Sequence, residues 1–258
     1  FQVESTLSEG RANGELQRTL DQIKRFIELL KEGSFIQATL NTNGLDLRKM
    51  LYPIGPIVVF GASNFPLAFS TAGGDTISAL AAGCPVVVKA HPYHAGTSEL
   101  VAQAIHLAIK KSKVPTEAFS HLGGQSHELG MSLVSHPLVK GVGFTGSFTG
   151  GKSLFDLVQQ REEPIPFFAE MGSVNPVFIL ENKVKKDSTL PTALASSITL
   201  GTGQFCTNPG LIVICDSDPE TEFAIHLGEA MESLELEPMV HSKINKKYIQ
   251  ELNKLKGE

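Results

Sequence analysis

The sequence predicts an α/β protein built on a doubly wound parallel sheet. Three observations carry that prediction. Val- and Ile-rich runs such as "IVVF" at 57–60, "PVVVK" at 85–89 and "LIVICD" at 211–216 do not alternate with polar residues, as strands covered on both faces do not. Segments with helical spacing of apolar residues lie between these runs. Turn sequences follow the strands directly, as in "GASN" and "GFTGS".

Taken in order, residues 15–33 place Leu16, Leu20, Ile23, Phe26, Ile27 and Leu30 at helical intervals, and Gly33 supplies a stop. Residues 34–56 read as extended or hairpin-like. A buried strand at 57–60 ends in a turn. Residues 66–83 are small and apolar, with the breaker Gly83-Cys84-Pro85 behind them, and predict a buried helix. Strand 85–90, helix 98–111, a short strand in 118–124 and helix 125–135 follow. The strand in 139–147 runs into a helix at 148–159. Two further strands lie in 165–172 and 175–180. A helix over 188–200 leads into "LGTGQFCTNPG", and the strand at 211–216 comes next. Residues 244–258 read as helix. No internal repeat, low-complexity tract or linker of distinct composition is present.

A length of 258 residues suits one large domain or two ordinary ones. The formal net charge of -5 excludes an electrostatic nucleic-acid binder, which would carry a basic patch. No apolar run is long enough to span a bilayer, and no signal peptide opens the chain. Phe1 begins mid-pattern and the final residues stop in or just after a helix, so the chain reads as part of something longer. Its three cysteines are an odd number at unrelated spacings, without zinc-type pairing. That favours free thiols in a reducing compartment, the cytoplasm, and no metal site. Cys84 and Cys215 flank or lie in apolar strands and read as core.

Cys206 is different. Its neighbours are Gly201, Gly203, Gln204, Thr207, Asn208 and Pro209, a small and polar setting for a residue type that usually hides in apolar runs. Asn64, Lys89, Ser147 and Glu170 each follow a strand, and a doubly wound sheet gathers its ligand at that end. Each has an ordinary alternative: a turn residue for Asn64, a solvated strand end for Lys89, a helix cap for Ser147, a buried ion pair for Glu170. Glu170 follows Phe167, Phe168 and Ala169, so desolvation is expected to make it a better base. The turn from Gly143 to Ser147, with Gly146 in it, leaves room for a dinucleotide to approach the backbone. No histidine carries a protease signature that would pair with Cys206. A cysteine that oxidises an aldehyde needs instead an oxyanion donor, a hydride acceptor and a base for water.

The motifs "GASNFP", "GCPVVVKAHP", "GFTGS", "AEMGSVNPVFIL" and "GQFC" occur in the order and approximate spacing of the aldehyde dehydrogenase superfamily, which the chain resembles over nearly its whole length. The similarity is strongest to the branch of 2,5-dioxovalerate (α-ketoglutarate semialdehyde) dehydrogenases and NADP-dependent fatty aldehyde dehydrogenases. The resemblance implies a dinucleotide-binding domain at 1–172, with an extended or oligomerisation segment at 34–55, and part of a second α/β catalytic domain at 173–258. It implies that Cys206 is the nucleophile, Glu170 the general base and Asn64 the oxyanion donor. It also places Lys89 at the adenosine ribose, Gly146 and Ser147 beside the pyrophosphate, and Ser63 near the nicotinamide path. A departure from the family's Glu-Leu-Gly pattern follows Glu170: the glycine is followed here by Ser173-Val174-Asn175-Pro176. Where NAD-preferring relatives carry a glutamate three residues after the lysine, this chain has Pro92, which implies NADP, with NAD as the alternative. His127 is either a contact to the 2′-phosphate or a solvated helix residue. The implied substrate is an aldehyde, α-ketoglutarate semialdehyde first, and the implied assembly a dimer or tetramer. Fatty or other aliphatic aldehydes, acyl transfer to coenzyme A, and an inactive nucleotide-binding module stay open as alternatives.

Overall fold

A computed structural model describes residues 1–215, 222–235 and 237–257, with the side chains at 185, 186 and 215 excepted. The chain separates into two compact units, Phe1–Met171 and Gly172–Glu258.

The first unit opens with α1 (Gln2–Ser5) and α2 (Glu9–Glu32). The second helix begins earlier than expected. Gly10 and Gly14 mask its start in the sequence, but the Ser8 hydroxyl caps it by accepting the Arg11 N–H, and Gly33 ends it at φ 85°. Residues 34–56 contain an antiparallel ribbon of two exposed three-residue strands, β1 (Thr39–Asn41) and β2 (Leu47–Lys49). Then come β3 (Ile57–Phe60), α3 (Gly74–Ala81), β4 (Val86–Lys89), α4 (Ala95–Ser112), β5 (Phe119–Leu122), α5 (His127–Ser135), β6 (Gly141–Thr145), α6 (Phe148–Gln159) and β7 (Phe167–Glu170).

The five strands from β3 onward form one parallel sheet in the order β5-β4-β3-β6-β7. The chain builds outward from β3 to β5 and then returns to the other side of β3 to place β6. The direction of winding therefore reverses between β3 and β6. The apolar runs do not alternate because both faces are covered. Val58 and Phe60 pack with Val134 of α5 and Leu154 and Val158 of α6, while Val59, Val86 and Val88 pack with Ala102 and Ile109 of α4. Each such fully buried side chain contributes about 1.5–3 kcal/mol.

The helix expected over 66–83 is a correction. Only α3 is helical there, and residues 61–73 form a buried, irregular loop. A tight backbone turn is the reason. A Cβ at Gly73 would lie 2.7 Å from both the Ala68 carbonyl and the Ser70 nitrogen, closer than any side chain permits. The small apolar residues that suggest a packed helix instead allow the chain to cross itself.

The second unit contains β8 (Pro176–Leu180), α7 (Glu181–Lys186), α8 (Leu190–Thr199), β9 (Leu211–Cys215), α9 (Glu222–Glu232) and α10 (Ser242–Lys256). Strands β8 and β9 pair in parallel, Pro176 opposite Leu211. Ile179, Leu194 and Phe223 centre the core. Cys84 is buried as expected, whereas the Cys215 side chain lies outside the described residues. Among the described residues, no helix is long and apolar enough to cross a membrane.

Candidate active site

In the first unit the structure gathers the expected residues at the carboxyl ends of parallel strands. Ser63 and Asn64 follow β3 in the 61–73 loop, both half-buried. Lys89 ends β4 in register with Phe60 of β3 and Leu122 of β5. Its ammonium is half-buried, and burial holds its pKa below the usual lysine range. Ser147 caps α6 by accepting the Gly150 N–H at 3.2 Å. Gly146 admits no side chain, because a Cβ would come within 2.8 Å of the Phe144 ring. Its N–H donates to the Glu170 carbonyl at 3.0 Å, so the turn before α6 is tied to the end of β7. His127 is exposed in the first turn of α5, behind the Ser126 cap.

Glu170 corrects one expectation. It is exposed, not desolvated. Strand β7 lies at the edge of the sheet, where burial alternates: Phe167 and Ala169 point toward the core and Phe168 and Glu170 away from it. An apolar sequence run at an edge strand does not guarantee burial of the residue that ends it.

The 61–73 loop is fastened from a distance. The Glu15 carboxylate on α2 is 1% exposed, pairs with Arg11 at 2.9 Å and accepts the backbone N–H groups of Ala68 and Leu67 at 3.0 and 3.4 Å. Arg11 and Arg18 lie over the Phe65 and Phe69 rings at 4.7 and 4.8 Å. His94 donates its Nε2–H to the Ala62 carbonyl at 2.7 Å, and its burial lowers its pKa, which keeps the ring neutral. Thr71 shares a hydrogen bond with Ser98, whose hydroxyl meets His121 Nε2 at 2.9 Å, while His121 Nδ1 faces Glu99 at 3.4 Å. This serine-histidine-glutamate order resembles a hydrolytic triad. Ser98 is fully buried and already bonded to Thr71, so it acts as a pin between α4, β5 and the loop.

In the second unit Cys206 sits half-buried between α8 and β9. The chain reaches it through a left-handed run, Gly201 at φ 60°, Thr202 at 56° and Gly203 at 71°. The Phe205 ring lies against Gly201, where a Cβ would be 2.4 Å from it. Neutral side chains then hold the backbone. Gln204 accepts the Val240 N–H at 3.0 Å and donates to the Gly201 carbonyl at 2.9 Å. Asn208 donates to the carbonyls of Ile198 and Leu200. Asn175, itself at φ 48°, donates to the carbonyls of Cys206 at 2.5 Å and Asn208 at 2.9 Å, and the Ser173 hydroxyl also donates to the Cys206 carbonyl.

Sequence reading missed Asn175, Asn208 and Glu15. A signal for the first two exists: "NPVFIL" and "NPGLIVIC" each place Asn-Pro ahead of a strand, and those strands pair. Asparagine before proline favours a turn whose amide can bond nearby backbone. Glu15 carries no such signal, because its partners lie 52 and 53 residues away.

Residues 3–246 match the aldehyde dehydrogenase family. The chain is 45% identical over 238 residues to alpha-ketoglutaric semialdehyde dehydrogenase 2 of Azospirillum brasilense, covering 89% of this chain and 45% of that protein. It is 44% identical over 257 residues to alpha-ketoglutaric semialdehyde dehydrogenase of Acinetobacter baylyi, covering 96% and 48%. It thus spans about half the length of these relatives. A solved 1-pyrroline-5-carboxylate dehydrogenase variant of Thermus thermophilus has the same fold, with a TM-score of 0.80 at 18% identity over 97% of this chain and 49% of the other. The glyceraldehyde-3-phosphate dehydrogenase of Methanocaldococcus jannaschii, solved with NADP, superposes with a TM-score of 0.74 at 22% identity over 89% and 48%. The chain belongs to the aldehyde dehydrogenase family.

Proposed function

We propose that this protein oxidises an aldehyde to a carboxylic acid through a thioester on Cys206, with NADP as the preferred acceptor and α-ketoglutarate semialdehyde as the substrate. The observation that carries the reading is the Cys206 loop: a thiol that is not sealed in a core, on a backbone held by side-chain amides. Family membership and the names of the two relatives support the reaction and the substrate class.

The Cys206 thiolate adds to the aldehyde carbon, forming a C–S bond and an oxyanion. The Asn64 amide and the Cys206 N–H stabilise that charge, each donor contributing about 3–4 kcal/mol. A bound dinucleotide supplies the hydride acceptor that converts the adduct to a thioester. Glu170 takes a proton from water, the hydroxide adds to the thioester carbon, and the thiolate leaves with release of the acid. An exposed Glu170 suits this role, because the base must exchange its proton with solvent between turnovers.

The residues of the first unit fit a dinucleotide. The capped N-terminus of α6 follows a glycine turn at the reversal of winding, where a diphosphate is favoured. Gly146 and Ser147 would hold the diphosphate, Lys89 the adenosine ribose and His127 the 2′-phosphate, with Ser63 on the nicotinamide side. Pro92 opens a short 3-10 turn where a carboxylate would oppose that phosphate. The protein acts as a homo-oligomer in the cytoplasm.

Cys206→Ala should abolish aldehyde oxidation and leave dinucleotide binding intact. Substantial residual turnover would remove Cys206 from the role. Glu170→Gln should give one burst of NADPH and then slow turnover. Pro92→Glu should move the specificity ratio toward NAD by about tenfold to a hundredfold, the cost of like charges in contact.

A further inference from the structure

We infer that Ser173 and Asn175 are positioning residues for Cys206, holding its backbone carbonyl and thereby the direction of its thiol. The inference rests on the reading of Cys206 as nucleophile. Two donors from the turn before β8 converge on one acceptor, the Cys206 carbonyl. Asn175 also holds the Asn208 carbonyl, so one amide spans the segment that carries the sulfur. The amide in turn donates to the Ser173 hydroxyl at 3.1 Å, which links the two donors to each other. A third tie lies beside them, the Gly210 N–H to the Val174 carbonyl at 2.7 Å, and there a Cβ on Gly210 would come within 2.6 Å of that oxygen. The two backbones therefore approach too closely to slide past each other.

A peptide carbonyl is the negative end of a dipole. With two donors on it, the Cys206 carbonyl is held and its charge compensated. Released, it is free to turn toward the sulfur, where it accepts an S–H and repels a thiolate. Ser173 matters because its hydroxyl is the second donor to the Cys206 carbonyl, and a glycine there would offer none. The amide of Asn175 is neutral, so the clamp adds no net charge beside the thiol. Asn175→Asp would add one.

The test is alkylation of Cys206 by iodoacetamide across a pH series, followed by mass spectrometry of the Cys206 peptide, since the thiolate is the reacting form. At neutral pH, Ser173→Gly should slow labelling about threefold and Asn175→Ala about fivefold to tenfold, the range of one or two lost hydrogen bonds. In both variants the pH profile should move upward, and Ser173→Thr should restore the parent rate. Asn175→Asp should move the profile furthest, and added salt should partly reverse that move. The double variant Ser173→Gly/Asn175→Ala should slow labelling by less than the product of the single effects, because both donors act through one carbonyl. Thermal melting identifies any variant that has lost its fold, and the exposed Ser173 pair keeps the test decisive if Asn175→Ala has. Parent-like labelling in folded Ser173→Gly and Asn175→Ala would overturn the clamp. If Cys206→Ala is inactive in that case, the nucleophile reading survives its loss. An active Cys206→Ala would overturn both.

Discussion

Residues 61–73 and residues 200–210 each carry a side chain proposed for the chemistry, Asn64 in one and Cys206 in the other. In the first loop Ala62, Phe65, Ala68, Ser70, Thr71 and Ala72 are buried; in the second only Phe205 is. The first loop is held by a sealed carboxylate and its arginine, the second by the amides of Gln204, Asn208 and Asn175. A loop that offers an amide can be packed away up to the reacting group. A loop that offers a thiol must stay open around it, so its order has to come from hydrogen bonds to its own backbone. Neutral bonds do this without placing a fixed charge against the sulfur.

The hardest test of the contrast is Glu15→Ala. It removes the ion-pair partner of a largely covered Arg11 and the acceptor of two N–H groups in the 61–73 loop, and should cost about 3–4 kcal/mol in denaturant unfolding. Glu15→Gln keeps an acceptor and should cost clearly less. A loss under 1 kcal/mol for the alanine variant would mean that apolar burial alone holds the loop.

Gly201→Ala probes the other side. It puts a Cβ into the Phe205 ring at a left-handed position, and should cost about 2 kcal/mol. Slower labelling of Cys206 should accompany the drop in Tm. A stability loss with unchanged labelling would separate the turn from the cysteine.

The smallest effect is one of pH. Glu4 accepts the N–H groups of Gly96 and Thr97 and the Thr97 hydroxyl at the start of α4, next to the Ser98 that pins Thr71. Burial alone would raise the Glu4 carboxyl, but these three donors outweigh it and hold the pKa below the usual glutamate value. A lowered folded pKa gives stability that is present at neutral pH and lost as pH falls through the carboxylate range toward the folded value. Glu4→Gln should cost about 1 kcal/mol at pH 7 and flatten that acid dependence. Acid should therefore loosen the first unit around α4, whereas the amides around Cys206 do not titrate.

What the sequence made legible follows from the range of the interactions involved. "IVVF" and "PVVVK" announce covered strands because every residue in them obeys one local rule, and the polar residues that end them fall on one edge as a result. The helix expected over 66–83 fails because a backbone crossing at Gly73 outweighs a helix-compatible composition. Glu170 is misjudged because edge position is a property of strand order, which local pattern does not contain. Cys206 stood out by its unusual neighbours, but the two residues that clamp its carbonyl did not. Ser173 and Asn175 lie 33 and 31 residues away and meet it only once β8 and β9 pair.

That pairing has a consequence for handling the molecule. Among the described residues β8 and β9 bond only to each other, and Phe178 and Leu180 of β8 are about two-thirds exposed. Parallel strands are normally covered on both faces and flanked by neighbours, and an uncovered apolar edge is a template for another chain. Taken by itself, this 258-residue chain should therefore scatter light increasingly as its concentration rises. A lysine at position 178 should suppress that growth, because a charge on an exposed strand face blocks edge-to-edge addition.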